Sequence, residues 1–255
     1  MRIDCSVEEH DIAAVQGLLR ANGENEFVLG RILDNVSGPV PEFDRGKCWR
    51  VMLGCLLTTQ QRSGPDSRVV RFLQRNPFEP ALVDCSPHCA ESAVSRALSA
   101  FGGLGRGPTV AKYAAANLAG LEAGDWLRVE EKFGRLLLLR GREPRESDFA
   151  EEREAALFIQ GAWDGFGPKQ SRNFWQWLGL TRFEIPLDSR VIGWLNRNEV
   201  FPFELTAQAL GDEHYYSFVM DGVRKVCVAP GVLPCVFDAA VFSEGQSWEA
   251  GSLEY

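Results

Sequence analysis

Apolar residues recur at three- and four-residue intervals along most of this chain, whereas the alternation of apolar and polar residues that marks strands is almost absent. The pattern predicts a very apolar helix over about 43–60 and two further helices over about 212–226 and 233–243. Gly-Pro pairs at 64–65 and 107–108 each open another helix, because proline is tolerated at a helix start. We therefore predict an all-α protein without internal repeats.

Length and composition limit the class of protein. The chain has 255 residues, of which 45% are hydrophobic, so it can bury a sizeable core in one large domain or two closely packed halves. Its start lacks the charged and then apolar pattern of a signal peptide, and no apolar run approaches the ~20 residues that a membrane helix needs. We expect a soluble, cytoplasmic, monomeric protein with no membrane partner.

The cysteines do not form a recognisable framework. There are seven, an odd number, and no C-x-x-C pair occurs, which argues against both a disulfide scaffold and an iron–sulfur cluster. The fragment Cys85-Ser-Pro-His88-Cys89 has metal-ligand residue types but lacks a second ligand pair elsewhere. We predict no metal site.

Charge is distributed unevenly along the chain. The formal net charge of −8 argues against a general nucleic-acid binder. Residues 45–112, however, carry ten Lys/Arg and four Asp/Glu, whereas residues 1–44 carry three and nine, and residues 199–255 carry two and nine. The middle of the chain is basic and both ends are acidic. This pattern fits either an unevenly charged surface or a basic surface that faces DNA.

The stretch Gly165-Phe-Gly-Pro168 predicts a tight turn that opens a helix. Glycine permits a positive φ and close backbone approach, and Pro168 suits the first position of the helix. The free N–H groups of a helix start favour an anion such as a DNA phosphate. Phe166 is expected to anchor the turn in the core. A plain connection between two helices would show the same pattern.

A lysine in the first turn of that helix and an aspartate nineteen residues later are candidates for chemistry. A lysine with an accessible neutral form is a nucleophile that can form a Schiff base with a sugar carbon, so Lys169 is one candidate. Asp188 is well placed to cap a helix, and an ionised carboxylate there could stabilise an oxocarbenium-like transition state or deprotonate the attacking amine. The alternatives are an exposed or phosphate-binding lysine and a purely structural cap.

Gly165-Phe-Gly-Pro-Lys169-Gln-Ser-Arg-Asn173 followed by Ile-Pro-Leu-Asp188-Ser-Arg resembles the helix–hairpin–helix DNA glycosylases. A lysine directly after Gly-x-Gly-x is similar to the bifunctional members, which excise a damaged base and then cleave the abasic strand. The lysine-to-aspartate spacing is similar to that of the 8-oxoguanine glycosylases, including the archaeal ones. The resemblance implies a single two-lobed helical unit over 1–255, with lobes at 43–140 and at 1–42 plus 141–255.

Two further stretches fit this resemblance. Leu-Leu-Thr-Thr-Gln-Gln at 56–61 is similar to the helix end where Gln or Asn fills the gap left by a flipped nucleotide or lines the base pocket; a polar end of a buried helix is the alternative. Pro-Cys-Val-Phe-Asp-Ala-Ala-Val-Phe at 234–242 resembles a base-pocket segment of the archaeal enzymes, although Asp238 could equally face solvent. Phe242 stands where tryptophan is expected, and Asn173 stands where a base-stacking residue is expected.

The resemblance implies a base-excision-repair DNA glycosylase with abasic-site lyase activity, acting on double-stranded DNA that contains a damaged base, with 8-oxoguanine as the expected base. Lys169 would attack C1′ with the help of Asp188. No cofactor is implied, apart from a monovalent cation that the hairpin carbonyls could hold. The implied DNA contacts are Gly165, Gly167, Gln60, Gln61, Arg172, Ser189 and Arg190, and the implied base pocket is Asn173, Pro186, Asp238 and Phe242.

Two rival functions stay open at this point. In a monofunctional glycosylase for another damaged base, Lys169 would only grip phosphate and Asp188 would activate water. In a non-catalytic helix–hairpin–helix module, the same turn would bind DNA or a protein partner without chemistry.

Overall fold

The computed structural model describes residues 6–59, 61, 67–75 and 78–244. Within these residues the chain forms helices and no β-strand, which confirms the predicted all-α class. No helix among them is both long enough and apolar enough to cross a membrane. Gln60, one of the predicted DNA contacts, lies outside the described residues.

The helices that the apolar pattern predicts over 43–60, 212–226 and 233–243 are present, and Gly107 begins another; the predicted helix start at 64–65 lies outside the described residues, and the next described helix begins at Arg68. The helix predicted over 43–60 begins after Asp44, whose carboxylate accepts a hydrogen bond from the Lys47 amide and so caps the first turn. Short 3₁₀ and π turns join several of the helices. The α-helices in chain order are α1 (Glu9–Asn22), α2 (Glu26–Ile32), α3 (Arg45–Leu57), α4 (Arg68–Leu73), α5 (Ala90–Phe101), α6 (Gly107–Gly120), α7 (Trp126–Arg140), α8 (Phe149–Ala162), α9 (Pro168–Trp177), α10 (Ser189–Arg197), α11 (Glu213–Val228) and α12 (Pro234–Ser243).

The buried apolar side chains form two separate cores. The first core takes its residues from 48–180, which covers α3 to α9. The second core takes its residues from 15–28 and 185–241, which covers α1, α2 and α10 to α12. The lobe division suggested by the sequence, at residue 141, therefore differs from the division between the cores. The reason is that α8 packs on α9 and α9 packs on α3, so both helices join the first core.

Residues 181–188, the crossing segment, lead from the first core to the second without forming a helix. Buried backbone of this kind needs hydrogen bonds that no regular structure supplies. The carboxylate of Glu152 on α8 accepts three of them, from the amides of Arg182, Phe183 and Glu184 at 2.9, 2.7 and 2.8 Å. Burial raises the pKa of Glu152 to about 7, although these three hydrogen bonds favour the ionised form.

A buried arginine also holds the crossing segment. Arg172 on α9 donates to Glu184 through Nε at 2.8 Å and to Glu213 on α11 through both terminal nitrogens. Arg153 donates to the second carboxylate oxygen of Glu184. The sequence predicted Arg172 as a DNA contact, and this prediction is corrected, because the side chain is 0% exposed. Its role is to join α9 to the crossing segment and to α11.

The hydroxyl of Tyr216 fixes the far end of the crossing segment. It accepts a hydrogen bond from the Leu187 amide at 2.6 Å and donates one to the Ile185 carbonyl at 2.9 Å. The Arg172 guanidinium lies 4.4 Å above the ring of the same tyrosine. Asp188 follows directly, so side chains of both cores determine where it lies.

Replacing Glu152 tests this account of the crossing segment. We expect Glu152→Ala to lower the free energy of unfolding by about 3–5 kcal/mol, because it leaves three buried amide N–H groups without an acceptor. Urea unfolding followed by circular dichroism measures the change. The control is Glu151→Ala, one residue earlier, whose long ion pair with Arg135 is partly exposed and should contribute under ~1 kcal/mol. Equal effects of the two substitutions would contradict the account.

Candidate active site

The turn between α8 and α9 has the geometry that the Gly-x-Gly pattern predicts at its first glycine. Gly165 has φ +81°, and a Cβ there would lie 2.6 Å from Tyr113 and 2.7 Å from Leu56. Gly167 is extended, and a Cβ there would have open space around it. Phe166 is buried against Trp163, as the sequence predicts for a core anchor.

Hydrogen bonds from the first core hold this turn. Asn117 on α6 accepts from the amide of Asp164 at 2.7 Å and donates to its carbonyl at 3.1 Å. The carbonyl of Gly167 accepts hydrogen bonds from the amide and the hydroxyl of Ser171. The carbonyl of Trp163 accepts one from the amide of Phe166. Three carbonyls of the hairpin thus already serve protein donors. No step proposed below depends on a monovalent cation there.

A cavity of about 420 Å³ lies beside this turn and takes its walls from both cores. This volume falls within the range of small-molecule sites. Both predicted catalytic residues and all four predicted base-pocket residues line it. The lining residues are Phe27, Arg31, Leu33, Asp34, Pro39, Val40, Pro41, Lys47, Thr58, Lys169, Asn173, Gln176, Trp177, Leu178, Gly179, Pro186, Asp188, Asp238 and Phe242.

One face of α9 supplies a polar stripe to the cavity. Lys169, Asn173 and Gln176 follow one another at helical spacing and all line it. The Asn173 amide nitrogen faces Cys55 Sγ at 3.6 Å and Gln170 Oε1 at 3.4 Å. Lys169 is half-buried in the first turn of the helix. The stripe thus places an amine at the end of α9 nearest the hairpin.

Asp188 caps α10 with one carboxylate oxygen, and its other oxygen takes no part in the cap. Its Oδ1 accepts from the amides of Arg190 and Val191 at 2.8 and 3.1 Å. Its Oδ2 lies 3.7 Å from the Arg190 guanidinium. Two amide donors and a nearby cation stabilise the ionised form of a carboxyl group. The predicted cap is confirmed, and Oδ2 is the oxygen that the cap does not use.

Phe242 lies in a stack that covers both of its faces. The Phe27 ring is stacked on it with centroids 4.6 Å apart, and the Arg190 guanidinium lies 3.8 Å above its ring. Two groups at these distances cannot share one face, so they lie on opposite sides. The resemblance implied that Phe242 lines the base pocket. Phe242 lines the cavity, but neither face of its ring is open for a base to stack on, because Phe27 and Arg190 cover them.

Asp238 is another carboxyl group of the cavity and differs sharply from Asp188. It is 6% exposed, and burial raises its pKa to about 7, while the charge of Asp188 adds to the rise. Arg31, the Gln176 amide and Lys169 act in the opposite direction. Within the described residues no cation forms an ion pair with it at contact distance. The sequence left open whether Asp238 faces solvent, and it faces the cavity.

Two amines, Lys47 and Lys169, and three carboxyl groups, Asp34, Asp188 and Asp238, therefore share one cavity. Such a set can combine a nucleophile, a proton acceptor and a proton donor. No protein-family model, curated protein or solved structure matches this chain. The chemistry of the site is accordingly inferred from its own residues.

The remaining predicted DNA contacts lie at other places. Gly165, Gly167 and Ser189 are exposed at the starts of α9 and α10. Gln61 uses its amide internally: it donates to the Leu57 and Gly105 carbonyls and accepts from the Gly105 amide. Across the described residues no group of three potential metal ligands converges, including around Cys85 and Cys89.

Several cavity residues were not predicted from the sequence. Gln176 had a local signal, since it lies seven residues after Lys169 on the same helix face. Arg31, Asp34 and Lys47 had none, because they reach the cavity from distant parts of the chain. Arg31 also donates to the Gln176 carbonyl at 3.3 Å, which ties α2 to the end of α9.

The two glycines of the hairpin provide a matched pair of substitutions. We expect Gly165→Ala to destabilise the protein by about 2–4 kcal/mol, because its φ is positive and the new methyl group would overlap Tyr113 and Leu56. Gly167→Ala should stay within about 1 kcal/mol of wild type, since its backbone is extended and the space is open. Thermal and urea unfolding of both variants measure this difference. Equal losses would contradict the described turn.

Asp238 should make stability depend on pH. The pKa of Asp238 is raised from 3.8 to about 7 in the folded protein. The free energy of unfolding therefore falls progressively as the pH rises through that interval, because the carboxyl group ionises more easily in the unfolded chain. We expect Asp238→Asn to be more stable than wild type by on the order of 2–4 kcal/mol at pH 8, and about equal at pH 3. Urea unfolding at a series of pH values measures this. The exposed Asp84→Asn serves as control, and a pH-independent gain would contradict the prediction.

Proposed function

We propose that this protein is a bifunctional DNA glycosylase and abasic-site lyase of the helix–hairpin–helix type, with a two-lobed fold and 8-oxoguanine as the base it removes. The observation that carries the proposal is that Lys169 and Asp188 line one cavity, each at the start of a helix, beside the hairpin. The sequence resemblance implied that the two residues act at one sugar carbon, and their shared cavity supports this.

DNA would bind across the exposed face of the hairpin. The first amides of α9 have no partner inside the helix, and the dipole favours an anion there, so they suit a strand phosphate. The turn rests on Leu56 and Tyr113, which belong to α3 and α6. Both helices lie in or beside the basic stretch 45–112, which supports a backbone-binding surface on this side.

The damaged nucleotide would be flipped out of the duplex, because its C1′ cannot be reached within the stack. The Lys169 amine would attack C1′ as the glycosidic bond breaks and the base leaves with the bonding electrons. Asp188 Oδ2 would accept the proton that the amine loses, since Oδ1 is occupied by the cap. The sugar ring then opens to an imine between C1′ and Nζ.

Strand cleavage would follow from that imine. Removal of a proton from C2′ lets the C3′–O bond break, and the 3′ phosphate leaves with the bonding electrons. Hydrolysis of the imine then releases Lys169. Water accepts the C2′ proton and supplies the final oxygen, and all other groups used in these steps belong to the protein or the substrate.

Borohydride trapping tests the lysine chemistry. We expect wild-type protein to form a covalent complex with an abasic-site duplex, because borohydride reduces the imine to a stable amine. Lys169→Gln should form none, and Asp188→Asn, which keeps an oxygen for the cap, should slow trapping about a hundredfold. Lys225→Gln on α11, outside the cavity lining, is the control and should trap normally. Denaturing gel electrophoresis measures the complex.

The outcomes separate the rival functions. Base release by wild type without any trapped complex would favour a monofunctional glycosylase. If neither base release nor trapping occurs on any duplex in a panel of single lesions, while duplex DNA still binds, the chain is a non-catalytic module. Base release and strand nicking are scored separately across the panel, which also identifies the damaged base.

A further inference from the structure

We propose that Asp238 is the general acid that delivers a proton to the departing base. The inference rests on the proposed glycosylase function and assigns a second carboxyl group to it. The sequence resemblance gave Asp238 only a place in the base pocket.

Asp188 and Asp238, two of the three carboxyl groups that line the cavity, have different surroundings. Asp188 accepts hydrogen bonds from two backbone amides and has the Arg190 guanidinium at 3.7 Å, so it has three polar partners. Asp238 is buried on α12 and forms no comparable set of hydrogen bonds in the described part of the chain. Paired carboxyl groups in such different environments divide into a base and an acid.

The polar neighbours of Asp238 come from three of the helices that line the cavity. α2 contributes Arg31, α9 contributes Lys169 and Gln176, and the start of α10 contributes Asp188. α1 and α11 pack on α12 through the second core. The net effect of burial and these charges raises the pKa of Asp238 to about 7, so a substantial fraction is protonated near neutral pH.

The Gln176 amide gives independent support for a ligand at this wall. Its side chain is buried beside Asp238, to which it makes only a weak hydrogen bond that lowers the pKa of that carboxyl group, and neither of its polar atoms has another partner within the described residues. An unpaired buried amide is costly, and one beside a cavity is satisfied when a polar ligand or water enters. A nucleobase edge offers donors and acceptors that could complete it.

The proposed step balances simply. The bond between C1′ and the base nitrogen breaks, its electron pair goes to the base, and the Asp238 O–H proton passes to a nitrogen or oxygen of that base. The base leaves neutral and Asp238 becomes a carboxylate. The Lys169 amine forms the new bond to C1′ that replaces the bond to the base. Solvent later returns a proton to Asp238.

Two substrates separate this role from that of Lys169. A duplex with an intact damaged base requires a leaving base, whereas an abasic duplex does not. We expect Asp238→Asn to slow single-turnover base release about a hundredfold or more, while borohydride trapping on the abasic duplex stays within about threefold of wild type. Single-turnover conditions with excess protein remove differences in affinity.

The pH dependence identifies proton donation. The ratio of wild-type to Asp238→Asn rates of base release should be constant below about pH 7 and fall about tenfold per unit above it, because only the protonated acid is active. Taking the ratio cancels titrating groups that do not interact with Asp238. A ratio that rises with pH would instead show that ionised Asp238 binds the base, and would overturn the proposal.

The failures of the two proposals are distinguishable. If wild type gives neither base release nor an abasic adduct, the glycosylase function fails, and the inference fails with it. If wild type is active and Asp238→Asn releases base equally fast, or loses trapping on the abasic duplex to the same extent, only the inference fails. Should Asp238→Asn not fold, Asp238→Ser removes the acid without adding volume, and the same outcomes apply.

Discussion

The hydrogen bonds between the Glu152 carboxylate and three consecutive amides of the crossing segment are the constraint on which the site depends. Without them, a buried stretch of irregular backbone would carry unpaired N–H groups between the two cores. Because Asp188 directly follows this stretch, the position of a carboxylate on the second core is determined by a side chain on α8. Arg172 and Tyr216 add hydrogen bonds from α9 and α11, so the relation between the amine and the carboxylate is fixed by packing.

Structural features that depend on residues close together in the chain were predicted from the sequence. The helices, the cap at Asp188, the positive φ at Gly165 and the presence of Lys169 in a first helical turn all follow from short patterns, and the structure contains each of them. Gln176 could have been found in the same way, because it shares a helix face with Lys169. The function assigned to these residues is still a proposal, since helical spacing describes placement and leaves chemistry open.

Features that depend on residues far apart in the chain were not predicted from the sequence. Arg172 looks like a phosphate contact beside Lys169, yet its carboxylate partners lie 12 and 41 residues further along the chain. Phe242 lines the cavity, but Arg190 and Phe27, which are far apart in sequence, cover its faces, and the sequence did not predict that arrangement. Burial of a charge and coverage of a ring are decided when the second core assembles, and no local pattern contains that information.

The order of the two cores along the chain has a consequence for biosynthesis. The second core needs helices from both ends of the described chain, α1 with α2 and α10 to α12, whereas the first needs only α3 to α9. On the ribosome, the first core can therefore close while α1 and α2 still lack their partners. The cavity walls come together only when α12 emerges, so a truncated nascent chain would hold Lys169 in place without the Asp238 carboxyl group.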